Sequence, residues 1–501
     1  MDIFSNLSYG LSIAASPENL LYCFIGALLG TFIGVLPGLG PLATIAMLLP
    51  LTFSLPPTGA LIMLAGIYYG AQYGGSTTAI LCRLPGESSA VMTAIDGYQM
   101  ARQGRAGPAL AIAALGSFFA GCVATLVIAI AAPPLSALGQ RFGAPEYFAL
   151  MVLGLVAAVV IANGSVMKAV LMILVGVMLG LVGTDVESGV KRLTFGIPSL
   201  ADGLDIAPVA MGLFGIAEII RNLEQRLTKN EIEQEISGLM PTRKDFREAT
   251  PAVLRGTALG TVLGILPGGG ALLSSFAAYV LEKRLSRTPE KFGQGAIAGV
   301  AAPESANNAG AQTSFIPMLT LGIPSNAIMA LMMGAMMIHG VQPGPNVMTK
   351  QPDIFWGVIV SMWVGNLMLL VINLPLIRVW VWILRIPYSV LFPAILLLCA
   401  IGVYSINSSM LDVLVMMLFG VMGYGLTKIG CEPAPLLLGV ILGPLMEENL
   451  RRSLTLSRGS PMILLEHPIS AGLLAVAAIL LISVLLPKVR RQREVAFEEQ
   501  T

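Results

Sequence analysis

Long apolar runs dominate this chain, and polar residues come in short breaks between them. The runs fall near residues 20–36, 42–56, 58–82, 108–133, 146–162, 165–183, 207–220, 252–267, 271–281, 293–310, 313–338, 354–384, 389–404, 410–427, 434–446 and 469–487. A helix of about 20 apolar residues crosses the roughly 30 Å of bilayer hydrocarbon. Several runs are too short for that and are interrupted by glycine and proline, which predicts half-helices and re-entrant pieces. Such backbone is tolerated at membrane depth only where protein or a water-filled cavity covers it. The expected fold is an all-α polytopic membrane protein of about 10–13 membrane segments, with two structural repeats and broken, re-entrant helices.

The polar breaks set the organisation. The longest is 221–255, with Arg221, Arg226, Lys229, Arg243, Lys244, Arg247 and Arg255. Basic loops face the cytoplasm, so this stretch predicts a cytoplasmic linker. The division is 1–220 for a first transmembrane repeat, 221–250 for the linker, 251–487 for a second repeat and 488–501 for a tail. Lys488, Arg490, Arg491 and Arg493 predict that the tail is also cytoplasmic. Residues 1–18 lack a basic n-region, so the first apolar run reads as a retained span rather than a cleaved signal.

The chain repeats itself. Gly34-Val-Leu-Pro-Gly-Leu-Gly returns 230 residues later as Gly264-Ile-Leu-Pro-Gly-Gly-Gly. Asn163-Gly-Ser echoes in Asn407-Ser-Ser, and Gly176-Val-Met in Gly420-Val-Met, both 244 residues apart. Several collinear echoes predict a duplication. The charges predict its sense. No Asp, Glu, Lys or Arg occurs between Asn19 and Cys82, whereas the matching stretch of the second half holds Glu282, Lys283, Arg284, Arg287, Glu290 and Lys291. Conversely, the first half carries Arg83, Arg102 and Arg105 where Ser305 to Thr349 carries none of these residue types. Equivalent loops of opposite basicity belong on opposite faces, which predicts inverted repeats.

Composition reinforces the membrane reading. Of 501 residues, 55% are hydrophobic and only 11% charged, with mean hydropathy +0.82. A soluble domain carries about 25% charged residues. The net charge of +1 leaves no nucleic-acid footprint. The five cysteines form no C-x-x-C pair, and only His339 and His467 are available as histidine ligands, so a zinc site has almost nothing to be built from.

Candidate chemistry lies in the Pro-Gly turns and in small polar clusters. Pro37, Gly38, Leu39 and Gly40, and Pro267, Gly268, Gly269 and Gly270, each end one apolar run and start another. Proline stops the first helix. The helix that follows begins with unpaired N–H groups, which favour an anion. The same turns serve as tight connections between packed helices. Thr44 follows the first turn closely, and Ser274 and Ser275 follow the second. Ser76, Thr77 and Thr78 in one half, and Glu304, Asn307, Asn308, Gln312 and Thr313 in the other, come roughly forty residues after their turns. Hydroxyls and amides bond carboxylates without placing a fixed charge in lipid. Asn307 and Asn308 also suit Na⁺. Helix packing is the competing role for such residues. Arg83 either meets a substrate carboxylate or, the preferred reading, pairs with Glu87 at the interface. Glu304 either holds a cation or proton or caps the following helix. Lys168, Asp185 and Asp412 are read as interfacial, and the Met-rich stretch 329–337 as packing.

An intramembrane protease would need a G-x-S-x-G serine, an H-E-x-x-H site or paired aspartates. None is present, so the expectation is a non-enzyme. A passive anion channel would not need broken helices in both halves.

The residues Gly34-Val-Leu-Pro-Gly-Leu-Gly, Tyr69-Gly-Ala-Gln-Tyr-Gly-Gly-Ser, Asp96-Gly-Tyr-Gln-Met, Gly299-Val-Ala-Ala-Pro-Glu-Ser-Ala-Asn-Asn-Ala and His339-Gly-Val-Gln-Pro-Gly-Pro resemble the tripartite tricarboxylate transporter family. The likeness is to its large membrane subunit, the TctA-type permease, and runs from about residue 18 to 487. Ala-Pro-Glu-Ser-Ala-Asn-Asn-Ala is its most specific piece. The resemblance implies a small TctB-type membrane subunit and a periplasmic TctC-type solute-binding protein as partners. It implies uptake of a citrate-like tricarboxylate across the bacterial inner membrane, coupled to Na⁺ or H⁺ rather than to ATP. Carriage of C4-dicarboxylates or aromatic carboxylates by the same mechanism is the alternative. The absence of G-x-x-x-x-G-K-[ST] agrees with ion-driven symport.

Overall fold

In the computed structural model the chain is helical almost throughout. The structure describes residues 3–36, 39–83, 86–162, 165–185, 187–224, 238–266, 270–383 and 388–485. The first half holds α1 (Ile3–Ala14), α2 (Pro17–Gly34), α3 (Pro41–Leu48), α4 (Pro57–Cys82), α5 (Val91–Met100), α6 (Ala106–Gly139), α7 (Ala144–Ile161), α8 (Val166–Gly180) and α9 (Ile206–Glu224). The second holds α10 (Arg243–Ile265), α11 (Gly270–Leu285), α12 (Ala298–Thr313), α13 (Phe315–Leu321), α14 (Ala327–Ile338) and α15 (Pro352–Asn373). It continues with α16 (Ile377–Ile383), α17 (Tyr388–Asn407), α18 (Met410–Lys428), α19 (Pro433–Leu456) and α20 (Pro468–Leu485). Among the described residues the sheet is one antiparallel pair, β1 (Gly183–Thr184) with β2 (Lys191–Arg192). Among the described residues, five helical segments, Pro17–Gly34, Ser88–Gly139, Ile206–Glu224, Pro352–Asn373 and Met410–Lys428, are long and apolar enough to cross a bilayer. The protein is an all-α polytopic membrane protein.

Local chemistry sets the helix ends. The Ser16 hydroxyl accepts the Asn19 N–H, and Pro17 occupies the first turn of α2. Thr242 and Asp245 form a capping box at the start of α10. Arg243, Lys244, Arg247 and Arg255 therefore lie on a helix, and 225–237 fall outside the described residues, as do Asn163, Gly164 and the tail 488–501.

Two glycine stripes build the centre. Cβ atoms on Gly26, Gly30 and Gly34 would stand 2.2, 2.3 and 2.4 Å from the carbonyl oxygens of Met63, Ile67 and Ala71 on α4. Cβ atoms on Gly256, Gly260 and Gly264 would stand 2.4, 2.3 and 2.4 Å from those of Ala302, Ala306 and Gly310 on α12. Only glycine lets the backbones approach so closely. The two stripes are themselves 230 residues apart, so the duplication extends into the packing.

The pairings also give direction. Along both stripes the residue numbers rise together, so α2 runs parallel to α4 and α10 parallel to α12. Between the halves they run oppositely: Gln72 of α4 bonds Asn307 of α12, and Ser76 bonds Glu304. The two copies of the motif thus cross antiparallel, the arrangement that inverted repeats require. α15 runs alongside α2 and α4, with Gly357 against Thr58 and Gly365 against Cys23. Later helices exchange partners between halves: α8 packs on α19 through Gly176 and Gly439, and α18 on α9 through Gly420 and Gly212.

The loops divide between two faces. On one, Arg105 pairs with Asp245 at 2.5 Å, joining the starts of α6 and α10. The ends of α4 and α11 reach this side with Arg83, Lys283 and Arg284, making it the basic face. On the other, Arg192 and Arg451 grip Glu447 and Asp185, fixing the β-hairpin to α19. There His467 also meets Glu146 at 2.8 Å, tying the starts of α20 and α7. Met329, Met332, Met333 and Met336 are wholly buried in the core, in keeping with a packing role.

Gly30→Val and Gly260→Val should each lower the melting temperature of the protein in detergent, at a cost of about 1–3 kcal/mol from overpacking. Gly425→Ala, where an added Cβ meets nothing within 4 Å, is the control. Unchanged melting of both valine variants would remove the stripes from the packing account.

Candidate functional site

Both broken helices are present. α2 ends at Gly34, and α3 restarts after an extended Gly40 that offers no side-chain cap. α10 ends at Ile265, and α11 restarts at Gly270 with φ +60°. Pro37, Gly38, Pro267, Gly268 and Gly269 lie outside the described residues. Leu39 is buried. Thr44 turns its hydroxyl back to the Gly40 carbonyl at 2.9 Å, and Ser274 does the same to Gly270 at 2.6 Å. Ser275 donates to the Ser89 carbonyl at 2.6 Å. Thr77, Thr78 and Thr313 bond carbonyls of their own helices. Of the hydroxyls predicted to meet substrate, Ser76 alone among these bonds a side chain of the other half.

That bond lies at the crossing of α4 and α12. Every residue of α12 from Gly299 to Thr313 is buried. Its glycines, asparagines and proline are poor helix formers, so packing between α10 and α6 holds it helical. Glu304 Oε2 lies 2.7 Å from Ser76 Oγ, and Oε1 lies 2.5 Å from Thr93 Oγ1 of α5. One turn on, Asn307 accepts from Gln72 Nε2 at 3.1 Å and donates to Glu87 Oε1 at 3.0 Å. Asn308 donates to Ser117 Oγ of α6 at 2.7 Å, and Gln312 Oε1 accepts from Thr125 at 2.8 Å. The result is a buried polar seam joining α4, α5, α6 and α12. It contains two carboxyl groups, and among the described residues neither makes an ion pair. Burying such groups as anions is costly.

Asp96 shows the contrast. Its Oδ1 accepts the N–H groups of Gly293, Gly295 and Ala296 at 2.8–2.9 Å, and its Oδ2 accepts the Tyr279 hydroxyl at 2.9 Å. Four donors saturate it, and its role is to anchor the loop before α12.

The seam is not fully satisfied. Asn308 Oδ1, Gln312 Nε2 and both amide atoms of Asn366 on α15 are buried without partners. A Cβ on Gly121 would fall 2.5 Å from Asn366 Nδ2 and 2.7 Å from Gln312 Nε2. A cavity of about 20 Å³ touches Glu304, Ser76, Ser117, Tyr73 and Asn373. That is room for one water.

Two sequence expectations change. Arg83 and Glu87 do not pair: Arg83 is exposed in a left-handed C-cap, while Glu87 turns inward to Asn307. Glu304 is not a helix cap, because it sits inside α12. Sequence reasoning also missed Gln72, Thr93, Asp96, Ser117, Thr125 and Asn366 as members of the site region. A carboxylate at 87 within a small-residue hairpin was the available signal. Its partner, 220 residues away, was not legible. Among the described residues no three His, Cys, Asp or Glu side chains group as metal ligands.

Comparison with known proteins adds to this geometry. A model of the Tripartite tricarboxylate transporter TctA family matches residues 20–438. The chain is 58% identical over 500 residues to an uncharacterised 52.8 kDa protein in the TAR-I ttuC' 3' region of Agrobacterium vitis, covering 100% of both chains. It is 55% identical over 240 residues to an uncharacterised protein in the TAR-II ttuC' 3' region of the same organism, covering 48% of this chain and 99% of the other. No solved structure matches.

Gln72→Leu and Asn307→Leu should each cost about 1–3 kcal/mol by stranding a buried partner. Together they should cost less than the sum, since they break the same bond. Melting curves of the two single variants and the double variant in detergent measure the coupling. Strictly additive losses would mean that the pair does not interact.

Proposed function

The chain belongs to the tripartite tricarboxylate transporter TctA family, and on that premise we propose that it is the subunit through which a citrate-like tricarboxylate or related carboxylate crosses the bacterial inner membrane. A periplasmic solute-binding protein delivers the anion, a small membrane subunit stands beside the permease, and a Na⁺ or H⁺ gradient drives uptake. The positive-inside rule places the basic face in the cytoplasm. α20 runs toward that face, so its C-terminal side is cytoplasmic.

The observation that carries the reading is the antiparallel crossing of α4 and α12, flanked by two restarted helices. The anion rests near the starts of α3 and α11, around Leu39, Gly40 and Gly270; Pro37, Gly38, Pro267, Gly268 and Gly269, the other sequence candidates for this site, lie outside the described residues. Helix N-termini favour negative charge there. Ser274 and Ser275 on α11, and Thr44 on α3, turn from their present bonds toward substrate as the halves open. Ser76, Thr77 and Thr78 connect this region to the seam. The coupling ion acts at the Glu304, Asn307, Asn308, Gln312 and Thr313 segment, where the unpartnered Asn308 Oδ1 supports a ligand role. Coupling offsets the charge of an anion entering against a negative-inside potential, about 2.3 kcal/mol per unit charge per 100 mV.

Labelled citrate should accumulate above equilibrium in proteoliposomes holding this chain, the small subunit and the binding protein, and the accumulation should collapse with the ion gradient. Gly310→Val should abolish it while membrane insertion persists, because the new side chain strikes Ser274 Oγ, 2.5 Å from the Cβ position. Equilibration without accumulation would replace the carrier with a passive pathway. Normal uptake by the variant would move the site away from α11.

A further inference from the structure

We propose that Glu304 carries the coupling proton, and that the cavity beside it is the path by which this proton exchanges with the basic face. The inference rests on the transport reading above and chooses between its two ions.

Hydrogen-bond accounting is the first argument. Ser76 Oγ lies within reach of two acceptors, Glu304 Oε2 at 2.7 Å and the Gln72 carbonyl at 3.1 Å. A hydroxyl has one proton to give. With an ionised Glu304 taking that proton, the Ser76 contact to the Gln72 carbonyl carries no hydrogen, and that carbonyl keeps only its intrahelical N–H. With a neutral acid every group is matched: Glu304 Oε2–H donates to Ser76, Ser76 donates to the Gln72 carbonyl, and Thr93 donates to Oε1.

The electrostatic setting is the second. The groups facing Glu304 are Tyr73 and Ser76 from α4, Thr93 from α5, Ser117 from α6 and Asn373 from the end of α15. The nearest other acids are Glu87, held by Asn307 on the next turn, and Asp96, already saturated by the loop 293–296. Among the described residues no Lys, Arg or His bonds Glu304 or Glu87. An unpaired carboxylate here is disfavoured, and a neutral acid is not.

The cavity is the third. Two of its lining groups, Tyr73 Oη and Asn373 Oδ1, are buried and lack partners. A single water between them completes a relay from Glu304 to the α15–α16 turn, since α15 runs toward the basic face. The step balances simply: hydronium in the cavity gives a proton to Glu304 Oε2 and becomes water, and the reverse step releases it.

Infrared spectroscopy of the full chain in lipid vesicles tests this without transport. At neutral pH the spectrum should show the carbonyl stretch of a protonated carboxylic acid, insensitive to added NaCl. The band should be lost in Glu304→Gln, which mimics the neutral acid and should fold, and kept in Glu87→Gln. Its shift on transfer to D₂O should be slowed in Asn373→Leu. Absence of the band, its persistence in Glu304→Gln, or its loss on adding Na⁺ would each overturn the proposal. If Glu304→Gln fails to insert, Thr93→Val should shift the band by removing a donor, and an unmoved band counts against the assignment. Wild-type vesicles completed with the two partners, which fail to take up citrate but show the band, would fault the substrate reading and leave the proton site standing.

Discussion

Everything at the centre of this protein depends on how closely two pairs of parallel helices approach. Glycine stripes on α2 and α10 bring backbone against backbone, and the two tight pairs then cross. A wider separation would leave space at the crossing for lipid or bulk water. Lipid offers no hydrogen bonds, and polar groups exposed to it cost several kcal/mol each. Close packing therefore lets α12, a helix of glycine, asparagine, glutamate and proline, exist at membrane depth.

The same packing turns weak helix formers into a precise seam. Glu304, Asn307, Asn308 and Gln312, at successive spacings of three, one and four residues, face three different neighbours. Each of these side chains bonds a partner that sequence distance alone would never suggest, while Asn308 Oδ1 and Gln312 Nε2 are left without one. The connection after α4 contributes Glu87 to this seam, and α5 contributes Thr93 and, through Asp96, also fixes the loop before α12. A piece of the first half thus organises the entry to the central helix of the second.

Antiparallel crossing of duplicated motifs has a functional consequence. Two copies of one packing unit, facing opposite ways, can exchange environments by a modest rocking of one against the other, which is the logic of alternating access. The exchange of α8 and α18 between halves ties each outer layer to the opposite repeat. The cavity beside Glu304 is lined by Tyr73, Ser76, Ser117 and Asn373 from three helices and has room for one water.

Several features were decided by the chain before any fold was known. Apolar runs, sparse charge and paired Pro-Gly turns suffice to specify a polytopic helical protein built from a duplicated unit, because hydrocarbon permits few other solutions. The opposed basicity of equivalent loops foretold the opposed directions of α4 and α12 for the same reason. The polar cluster from Glu304 to Thr313 was legible as unusual, but its meaning was not. Nothing in local pattern indicates that Glu87 turns inward to Asn307 rather than outward to Arg83, that Thr93 and Ser76 share one carboxyl, or that Asp96 is saturated by a distant loop. Those outcomes are set by which side chains meet across two hundred residues of chain, and contact between such distant residues arises only when the helices pack.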